Sequence, residues 1–208
     1  MIAAQIEETD VVRIVNADIP EVGPGDVLIE VANCGICGTD LHIFRGEYMG
    51  AYPIIPGHEF SGTVERVGAS VQSVEAGQRV AVEPNIPCDN CHMCLNNRQN
   101  FCRNWQAVGV TRSGGMAGYV VVPEKAVFDI GELSFEQAAF VEPLSCVLHG
   151  VERAELRLGD RVLIVGAGPI GIQLLRTAHV RGAGRVEVAE RNPSRLRFAE
   201  RSGAAAVT

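Results

Sequence analysis

The sequence predicts an α/β chain with a β-rich first part, and three observations support this fold class. Short apolar segments separated by Gly and Pro fill the first two thirds, which predicts a compact β-barrel-like domain over residues 1–150. Four closely spaced cysteines within this part predict a lobe held by a metal. In the remainder, residues 151–208, an apolar segment runs into a glycine-rich turn and predicts a strand–helix–strand unit.

The predicted strands of the first part are bounded by turn-forming residues. The first strand follows the turn Gly23-Pro24-Gly25-Asp26, and the second is flanked by Gly62 and Gly68. The four strands span residues 27–32, 63–67, 79–83 and 119–122. Short strands separated in this way are typical of a small all-β domain.

The last part of the chain predicts one βαβ unit. A strand of the buried type over residues 161–165 leads into a glycine-rich turn over residues 166–171. A helix over about residues 170–180, a second strand over 185–189 and a second helix over 193–202 follow. A dinucleotide-binding fold contains two such halves, so we expect the fold to be incomplete and the chain to be a fragment.

Composition and charge narrow the possible functions. With 208 residues, 47% of them hydrophobic, the chain can bury a core, and its net charge of −7 argues against nucleic acid as a partner. Its first ten residues lack the basic and apolar regions of a secretory signal, and no apolar run reaches the roughly 18 residues of a membrane helix. We therefore expect a cytoplasmic protein with no membrane partner.

Cys88, Cys91, Cys94 and Cys102 form the strongest motif of the chain. Their C-x2-C-x2-C-x7-C spacing allows four thiolates to converge on one tetrahedral zinc ion. The intervening residues are mostly polar turn formers, so the metal would have to hold the segment in place. Disulfides are the alternative, but seven cysteines cannot all pair and no signal peptide precedes them. The motif therefore predicts a structural zinc site.

A second set of metal-ligand residues lies upstream of this motif. Cys37, His58 and Glu59 offer a thiolate, an imidazole and a carboxylate, and glycines flank both stretches. Three protein ligands that leave a fourth position open are typical of catalytic zinc. An isolated Cys or His more often packs in the core or lies at the surface. Together with the four cysteines, however, these residues predict a catalytic metal centre.

Five motifs follow one another along the chain. They are Cys37-Gly38-Thr39-Asp40-Leu41-His42, Gly57-His58-Glu59, the four cysteines, Glu142-Pro143-Leu144 and Gly166-x-Gly168-x-x-Gly171. In this order they resemble the motifs of zinc-dependent medium-chain dehydrogenases/reductases, closest to the polyol (sorbitol-type) and threonine dehydrogenase branch. The resemblance implies a GroES-like β-barrel catalytic domain carrying both zinc ions, followed by an incomplete Rossmann domain. It also implies a homodimer or homotetramer.

The resemblance further implies roles for individual residues. The three upstream ligands would hold the catalytic zinc, and Glu142 would serve as a further ligand or as a partner to a zinc-bound water. Thr39 would pass the proton of the substrate hydroxyl onward, and His42 would continue this relay to solvent. Tyr48 and Phe44 are candidates for lining the substrate pocket.

The glycine-rich turn predicts a nicotinamide dinucleotide at the start of the following helix. The turn residues expected to contact it are Gly166, Gly168, Pro169, Ile170 and Gly171. Glu190 follows Gly171 by nineteen residues, where an acid binds the ribose hydroxyls and repels a 2′-phosphate. We therefore expect NAD rather than NADP, although Arg191 and Arg195 could neutralise Glu190.

The expected function is oxidation of a secondary alcohol of a polyol or sugar alcohol to a ketone, with hydride transfer to NAD. It would use one catalytic and one structural zinc ion. A threonine 3-dehydrogenase is the alternative within the enzymes, because no residue distinguishes its substrate. A catalytically inactive truncated homologue, or a zinc-binding module, is the alternative outside them.

Overall fold

The chain divides into two units in a computed structural model that describes residues 1–207. The first unit is Met1–Glu142, and the second begins at Pro143. This division lies eight residues before the boundary expected from the sequence, close to the start of helix α4 (Val141–Arg153). Each unit has its own hydrophobic core.

The first unit contains nine strands and three short α-helices among its described residues, and α4 begins at its end. The strands are β1 Ile2–Glu8, β2 Val11–Asn16, β3 Asp26–Cys34, β4 Phe60–Val67, β5 Arg79–Val82, β6 Asn85–Ile86, β7 Gln106–Ala107, β8 Tyr119–Pro123 and β9 Val127–Asp129. The helices are α1 Gly38–Phe44, α2 His92–Leu95 and α3 Phe135–Ala139, with 3-10 turns at Gln99–Phe101 and Glu124–Ala126. All four strands predicted in this part of the sequence are confirmed, as β3, β4, β5 and β8.

A five-stranded antiparallel sheet organises the first unit. Its strand order is β8-β3-β4-β5-β9, and among the described residues the pairing does not continue from β9 back to β8. Within the described residues the predicted β-barrel is therefore a sheet that does not close on itself. Its core includes the fully buried side chains of Val27, Ile29, Phe60 and Val64. Burying each such side chain stabilises the fold by about 1.5–3 kcal/mol.

The hairpin formed by β1 and β2 was not predicted from the sequence. Ile2 pairs with Asn16 and Ile6 pairs with Val12 across it. Its two-residue connection places Asp10 at a φ of 62°, a left-handed conformation that Asp tolerates better than most residues. Short connections of this kind are the usual way to join antiparallel strands.

The second unit contains a parallel three-stranded sheet. Its order is β10-β11-β12, with β10 Arg161–Val165, β11 Arg185–Ala189 and β12 Ala206–Val207. Helices α5 (Pro169–Val180) and α6 (Pro193–Arg201) connect these strands. The predicted βαβ unit and the predicted second helix are confirmed.

Local sequence explains where these two helices begin. Pro169 and Pro193 both stand at the start of their helices, where a missing N–H is tolerated. The Asn192 side chain accepts hydrogen bonds from the backbone N–H groups of Ser194 and Arg195 and so caps α6. The side chains of Leu175, Val186 and Val188, all at most 1% exposed, form the core between helix and sheet.

Gly62→Ala is expected to destabilise the first unit. Gly62 lies in β4 opposite Val31 of β3, and a Cβ at this position would overlap the carbonyl oxygen of Glu30. Because the backbone of one strand must then move, we expect the free energy of unfolding, measured by chemical denaturation, to fall by about 1–3 kcal/mol. Gly25→Ala is the control, since a Cβ there meets open space. Equal stability of both variants would contradict this account.

Candidate metal centres and cofactor site

The pairing of β3 with β4 brings together the two stretches that hold the upstream metal-ligand residues. Cys34 at the end of β3 pairs with Phe60 at the start of β4. One step further, the N–H of Gly35 donates to the carbonyl oxygen of Glu59 at 2.7 Å. The chain that leaves β3 therefore runs beside the chain that enters β4, and Cys37 comes next to His58 and Glu59.

The three predicted ligands of the catalytic metal converge in the structure. One ligand atom from each of Cys37, His58 and Glu59 lies within 4.8 Å of the other two. His58 is buried, whereas Cys37 and Glu59 are half-buried. A thiolate, an imidazole and a carboxylate at this separation fit a zinc ion with an open coordination position.

Asp40 supports this centre, and sequence analysis did not assign it a role. Its side chain is only 5% exposed. One carboxylate oxygen accepts a hydrogen bond from the N–H of Cys37 at 2.8 Å, and the other accepts one from the N–H of Gly57 at 3.2 Å. The same carboxylate lies 3.5 Å from Nδ1 of His58. It therefore joins both ligand-bearing stretches and orients the His58 ring, as carboxylates behind metal-binding histidines do.

The environment of His58 fits a cation at this position. Burial lowers the pKa of His58, but interactions with Asp40 and Cys37 outweigh burial and raise this pKa to about 10. Nδ1 of His58 is buried without a hydrogen bond of normal geometry, because the approach of Asp40 is longer than such a bond. The site thus favours positive charge on or beside the ring. A zinc ion bound through the other ring nitrogen would replace the proton.

Glu142 lies near this group without joining it. It is not one of the residues whose ligand atoms lie within 4.8 Å of one another. Burial is the main reason why the pKa of Glu142 is raised; the charge of His58 opposes this effect, and the charges of Glu59 and Glu83 add to it. Its predicted role, as a ligand or as a partner beside the metal, stays a prediction.

The residues predicted to move the proton lie on α1. The Thr39 hydroxyl is 3.8 Å from the sulfur of Cys37, at the metal centre. His42 is three residues further along the helix and therefore shares a face with Thr39. Of the two candidate pocket residues, Tyr48 is exposed, whereas Phe44 packs against a hydrophobic cluster. The packing of Phe44 favours a core role over the pocket role expected from the sequence.

The four-cysteine motif forms a second group with the dimensions of a zinc site. All four sulfur atoms lie within 4.8 Å of one another; the sulfur atoms of Cys91 and Cys94 are 3.5 Å apart, and those of Cys88 and Cys94 are 4.0 Å apart. These separations are too long for disulfides, in which sulfur atoms are about 2.05 Å apart. A tetrahedron of zinc–sulfur bonds of about 2.3 Å has edges of about 3.8 Å. The geometry therefore fits one ion held by four thiolates.

In this lobe, backbone hydrogen bonds favour a thiolate at Cys91, whereas burial opposes one at Cys94. The N–H of Cys88 donates to the sulfur of Cys102 at 3.3 Å. A hydrogen bond from the backbone of Cys94 is the main reason why the pKa of Cys91 is lowered to about 6, whereas burial raises the pKa of Cys94 to about 12. Lys125 holds the lobe from outside, since its ammonium group donates to the carbonyl oxygen of Pro87 at 2.7 Å and pairs with Asp89.

The glycine-rich turn has the shape needed to receive a phosphate. Gly166 has a φ of 99°, which favours glycine, and Gly168 caps the start of α5. A Cβ at Gly166 or Gly168 would point into open space, whereas a Cβ at Gly171 would overlap the carbonyl oxygen of Gly166. Pro169 and Ile170 form the first helical positions. The turn thus leaves room at a helix N-terminus, where backbone N–H groups bind phosphate.

Glu190 closes this turn from the end of β11. Its carboxylate accepts hydrogen bonds from the N–H groups of Ala167 at 2.9 Å and Asn192 at 2.8 Å. The hydrogen bond from Asn192, followed by the one from Ala167, lowers the pKa of Glu190, so the group is an anion at neutral pH. Arg195 approaches it only to 3.9 Å, and Arg191 is exposed. Glu190 therefore presents a negative charge where a ribose is expected to bind.

Asp40→Ala is expected to remove the catalytic zinc and to leave the structural zinc in place. Loss of a carboxylate behind a metal-binding histidine weakens metal binding by about 10- to 100-fold, and here it also removes a link to Cys37 and Gly57. Zinc per chain, measured by elemental analysis after mild chelation, should fall from about two to about one.

Two control variants locate the loss. Cys37→Ala should give the same zinc content as Asp40→Ala, whereas Asp89→Asn, which removes an exposed charge of the lobe and tolerates the left-handed backbone at this position, should keep both ions. Two zinc ions retained in Asp40→Ala would contradict the role of this residue.

Comparison with known proteins identifies the first unit. Residues 23–132 match the alcohol dehydrogenase GroES-like domain. D-arabinitol dehydrogenase 1 of Uromyces fabae is 38% identical over 99% of this chain and 59% of that protein. L-threonine 3-dehydrogenase of Rhizobium johnstonii is 39% identical over 90% of this chain and 56% of that protein.

A solved structure extends the similarity to both units. The crystal structure of a provisionally assigned zinc-binding dehydrogenase from Sinorhizobium meliloti 1021, bound to NADP, matches with a TM-score of 0.96 and 41% identity. The match covers 100% of this chain and 61% of that one. This chain thus spans between 56% and 61% of the length of these three proteins.

The matched domain includes both candidate metal centres. It spans more than half of the chain, from residue 23 to residue 132. No described helix of the chain is both long enough and apolar enough to span a membrane. The chain belongs to the family of proteins that carry the alcohol dehydrogenase GroES-like domain.

Proposed function

We propose that this chain supplies the zinc-binding catalytic domain and the first half of the NAD-binding domain of a polyol dehydrogenase. The protein would oxidise a secondary alcohol of a polyol or sugar alcohol to a ketone. The observation that carries this proposal is the convergence of Cys37, His58 and Glu59 within 4.8 Å. The glycine-rich turn and Glu190 of the second unit provide for a nicotinamide dinucleotide.

The side chains around the centre have distinct tasks in this reaction. When bound, zinc supplies Lewis acidity toward a hydroxyl group, and NAD supplies the hydride acceptor. Thr39, whose hydroxyl lies 3.8 Å from the sulfur of Cys37, accepts the proton of the substrate hydroxyl and passes it on. His42 takes the proton next and releases it to solvent. Glu142 adds a carboxylate near His58 and Glu59.

The charges at the centre favour a neutral substrate. Asp40, Glu59, Glu83 and Glu142 all act electrostatically on this region, and the Cys37 thiolate adds a further negative charge. A divalent cation offsets only part of this charge. A phosphate group on the substrate would be repelled, whereas the hydroxyls of a polyol carry no charge.

Two alternatives compete with this assignment. A threonine 3-dehydrogenase is supported by the similarity to the Rhizobium johnstonii protein of that name; its substrate carries an ammonium group as well as a carboxylate, so the negative charge of the centre does not distinguish it from a polyol. A zinc-binding module would need only the four-cysteine lobe and does not explain why Asp40 is buried behind a second group of candidate ligands. A catalytically inactive truncated homologue would keep both groups and would differ in turnover alone.

The location and assembly of the protein form part of the proposal. None of the seven cysteines is in a disulfide, and two candidate zinc sites need reduced thiols, which supports a reducing cytoplasm. We propose that the chain binds small alcohols rather than nucleic acid, because its net charge is −7. We also infer a homodimer or homotetramer, on family resemblance alone.

A substrate panel tests the proposed function. The zinc-loaded protein would be assayed for reduction of NAD with sorbitol, arabinitol, a polyol phosphate and L-threonine, by absorbance of NADH. We expect the neutral polyols to give a kcat/KM at least about tenfold above that for the polyol phosphate, equivalent to about 1.4 kcal/mol, and a kcat/KM above that for L-threonine. Higher kcat/KM for L-threonine would favour the first alternative. No turnover in protein with two bound zinc ions would favour an inactive homologue.

Glu190→Ala is expected to reduce discrimination between NAD and NADP. The substitution removes the carboxylate that would accept hydrogen bonds from the ribose hydroxyls, and it removes repulsion of a 2′-phosphate. The kcat/KM for NAD should fall by roughly 10- to 100-fold, while the value for NADP should rise.

Glu187→Ala is the matched control for this prediction. Glu187 lies on the same strand but pairs with Arg161 and Arg185, so its removal should leave cofactor preference unchanged. A parent protein that prefers NADP, as the cofactor bound in the Sinorhizobium meliloti structure would suggest, would contradict the assignment of NAD.

A further inference from the structure

Helix α1 ends in a backbone motif that brings His42 and Glu47 together. The N–H of Gly46 donates to the carbonyl oxygen of Ile43 at 3.0 Å, and the N–H of Glu47 donates to that of His42 at 2.8 Å. Gly46 has a φ of 70°. This pair of hydrogen bonds, with glycine in the left-handed conformation, is a Schellman motif. It places the side chain of Glu47 beside the side chain of His42.

The side chains that meet in this motif are ionisable, although a hydrophobic contact usually occupies these positions. Nδ1 of His42 lies 2.7 Å from a carboxylate oxygen of Glu47. The two side chains are 57% and 52% exposed. Exposed pairs of this kind contribute little to stability, typically about 0–1 kcal/mol. Stability therefore gives no reason for a histidine and a glutamate at these positions.

The backbone that carries this pair is held firmly. Ile43 directly follows His42 in α1 and is fully buried. The Tyr52 hydroxyl donates a hydrogen bond to the carbonyl oxygen of Ile43. The N–H of Asp10 donates to the carbonyl oxygen of Phe44 at 2.7 Å. Gly46 packs so closely on Thr9 that a Cβ would lie 2.9 Å from its hydroxyl oxygen. The end of α1 is thus anchored to the hairpin β1–β2 and to the core.

The hydrogen bond to Glu47 decides which nitrogen of His42 carries the proton. In neutral histidine one ring nitrogen is a donor and the other an acceptor. A carboxylate accepts only, so the nitrogen that faces Glu47 has to be the donor, Nδ1–H. The lone pair is then on Nε2, the nitrogen available to take up a proton.

We infer that Glu47 is a positioning residue for proton transfer through His42. This inference rests on the proposed function. The proton of the substrate O–H passes through the Thr39 hydroxyl to the Nε2 lone pair of His42, and NAD, when bound, would supply the acceptor for the hydride. The resulting imidazolium keeps its Nδ1–H on Glu47, whose negative charge stabilises it, and then loses the Nε2 proton to water. Glu47 itself neither touches the substrate nor changes protonation state.

The first test observes the tautomer of His42 directly. Two-bond proton–nitrogen NMR spectra of the zinc-loaded protein, labelled with ¹⁵N in its five histidines, distinguish the two neutral forms. The His42 signals are assigned by their loss in His42→Gln. We expect His42 to be mainly in the Nδ1–H form in the parent. The same form should dominate in Glu47→Gln, whose amide oxygen can still accept a hydrogen bond from Nδ1–H. In Glu47→Ala the Nδ1–H form should no longer be the main one. An Nε2–H form in the parent, or an unchanged spectrum in Glu47→Ala, would overturn the inference.

A matched control separates this effect from general loss of a surface ion pair. Glu7 pairs with Arg13 at the same distance of 2.7 Å, on the hairpin that anchors α1. Glu7→Ala removes that exposed pair and should leave the His42 spectrum as in the parent. A change in Glu7→Ala as large as that in Glu47→Ala would count against a specific role of Glu47.

The second test measures turnover with the best polyol from the panel. Glu47→Ala should lower kcat and leave KM nearly unchanged. A positioned proton-transfer group contributes roughly 10²- to 10⁴-fold to the rate, and Glu47→Ala should lose part of this contribution. Glu47→Gln should recover much of the lost kcat. Equal kcat in Glu47→Ala and the parent would overturn the inference. A parent without alcohol oxidation would refute the proposed function, and the NMR spectra would still decide the tautomer.

Discussion

The antiparallel pairing of β3 with β4 is the constraint on which the candidate catalytic centre depends. The register that pairs Cys34 with Phe60 also sets the hydrogen bond between Gly35 and Glu59. Side chains alternate between the two faces of a strand. If β4 slipped by one residue against β3, every side chain of β4 would therefore point to the opposite face of the sheet. Such a slip would turn Phe60 out of the core and separate Cys37 from its partner ligands. Core packing and metal-site geometry are therefore maintained by the same backbone hydrogen bonds.

Asp40 converts this backbone arrangement into a binding site for a cation. A buried carboxylate is costly unless hydrogen bonds and opposite charge compensate for its lost hydration. Backbone N–H groups from both ligand-bearing stretches supply the hydrogen bonds, and His58 supplies a group that can become positive. The same carboxylate therefore fixes the positions of two ligands and sets the charge that their metal must carry.

The parts of the molecule that the sequence predicts are those whose signal is local. The four cysteines lie within fifteen residues of one another, and the glycine-rich turn directly follows an apolar strand. Asp40 and Glu47 were missed because their roles depend on where α1 begins and ends. This helix has only seven residues and follows a glycine-rich stretch that reads as a turn. The hairpin β1–β2 was missed because its connection carries no Gly or Pro to mark it.

The two candidate metal centres rely on the fold to different degrees. Between residues 87 and 104 only Cys94 is buried, and the helix in this stretch, α2, has four residues. Ordering such a segment costs conformational entropy that its own packing cannot offset, so the metal itself has to stabilise it. The candidate ligands Cys37, His58 and Glu59 are instead brought together by two core strands and a buried carboxylate. Loss of metal should therefore disorder the lobe, whereas at the catalytic centre it should remove chemistry and leave the fold intact.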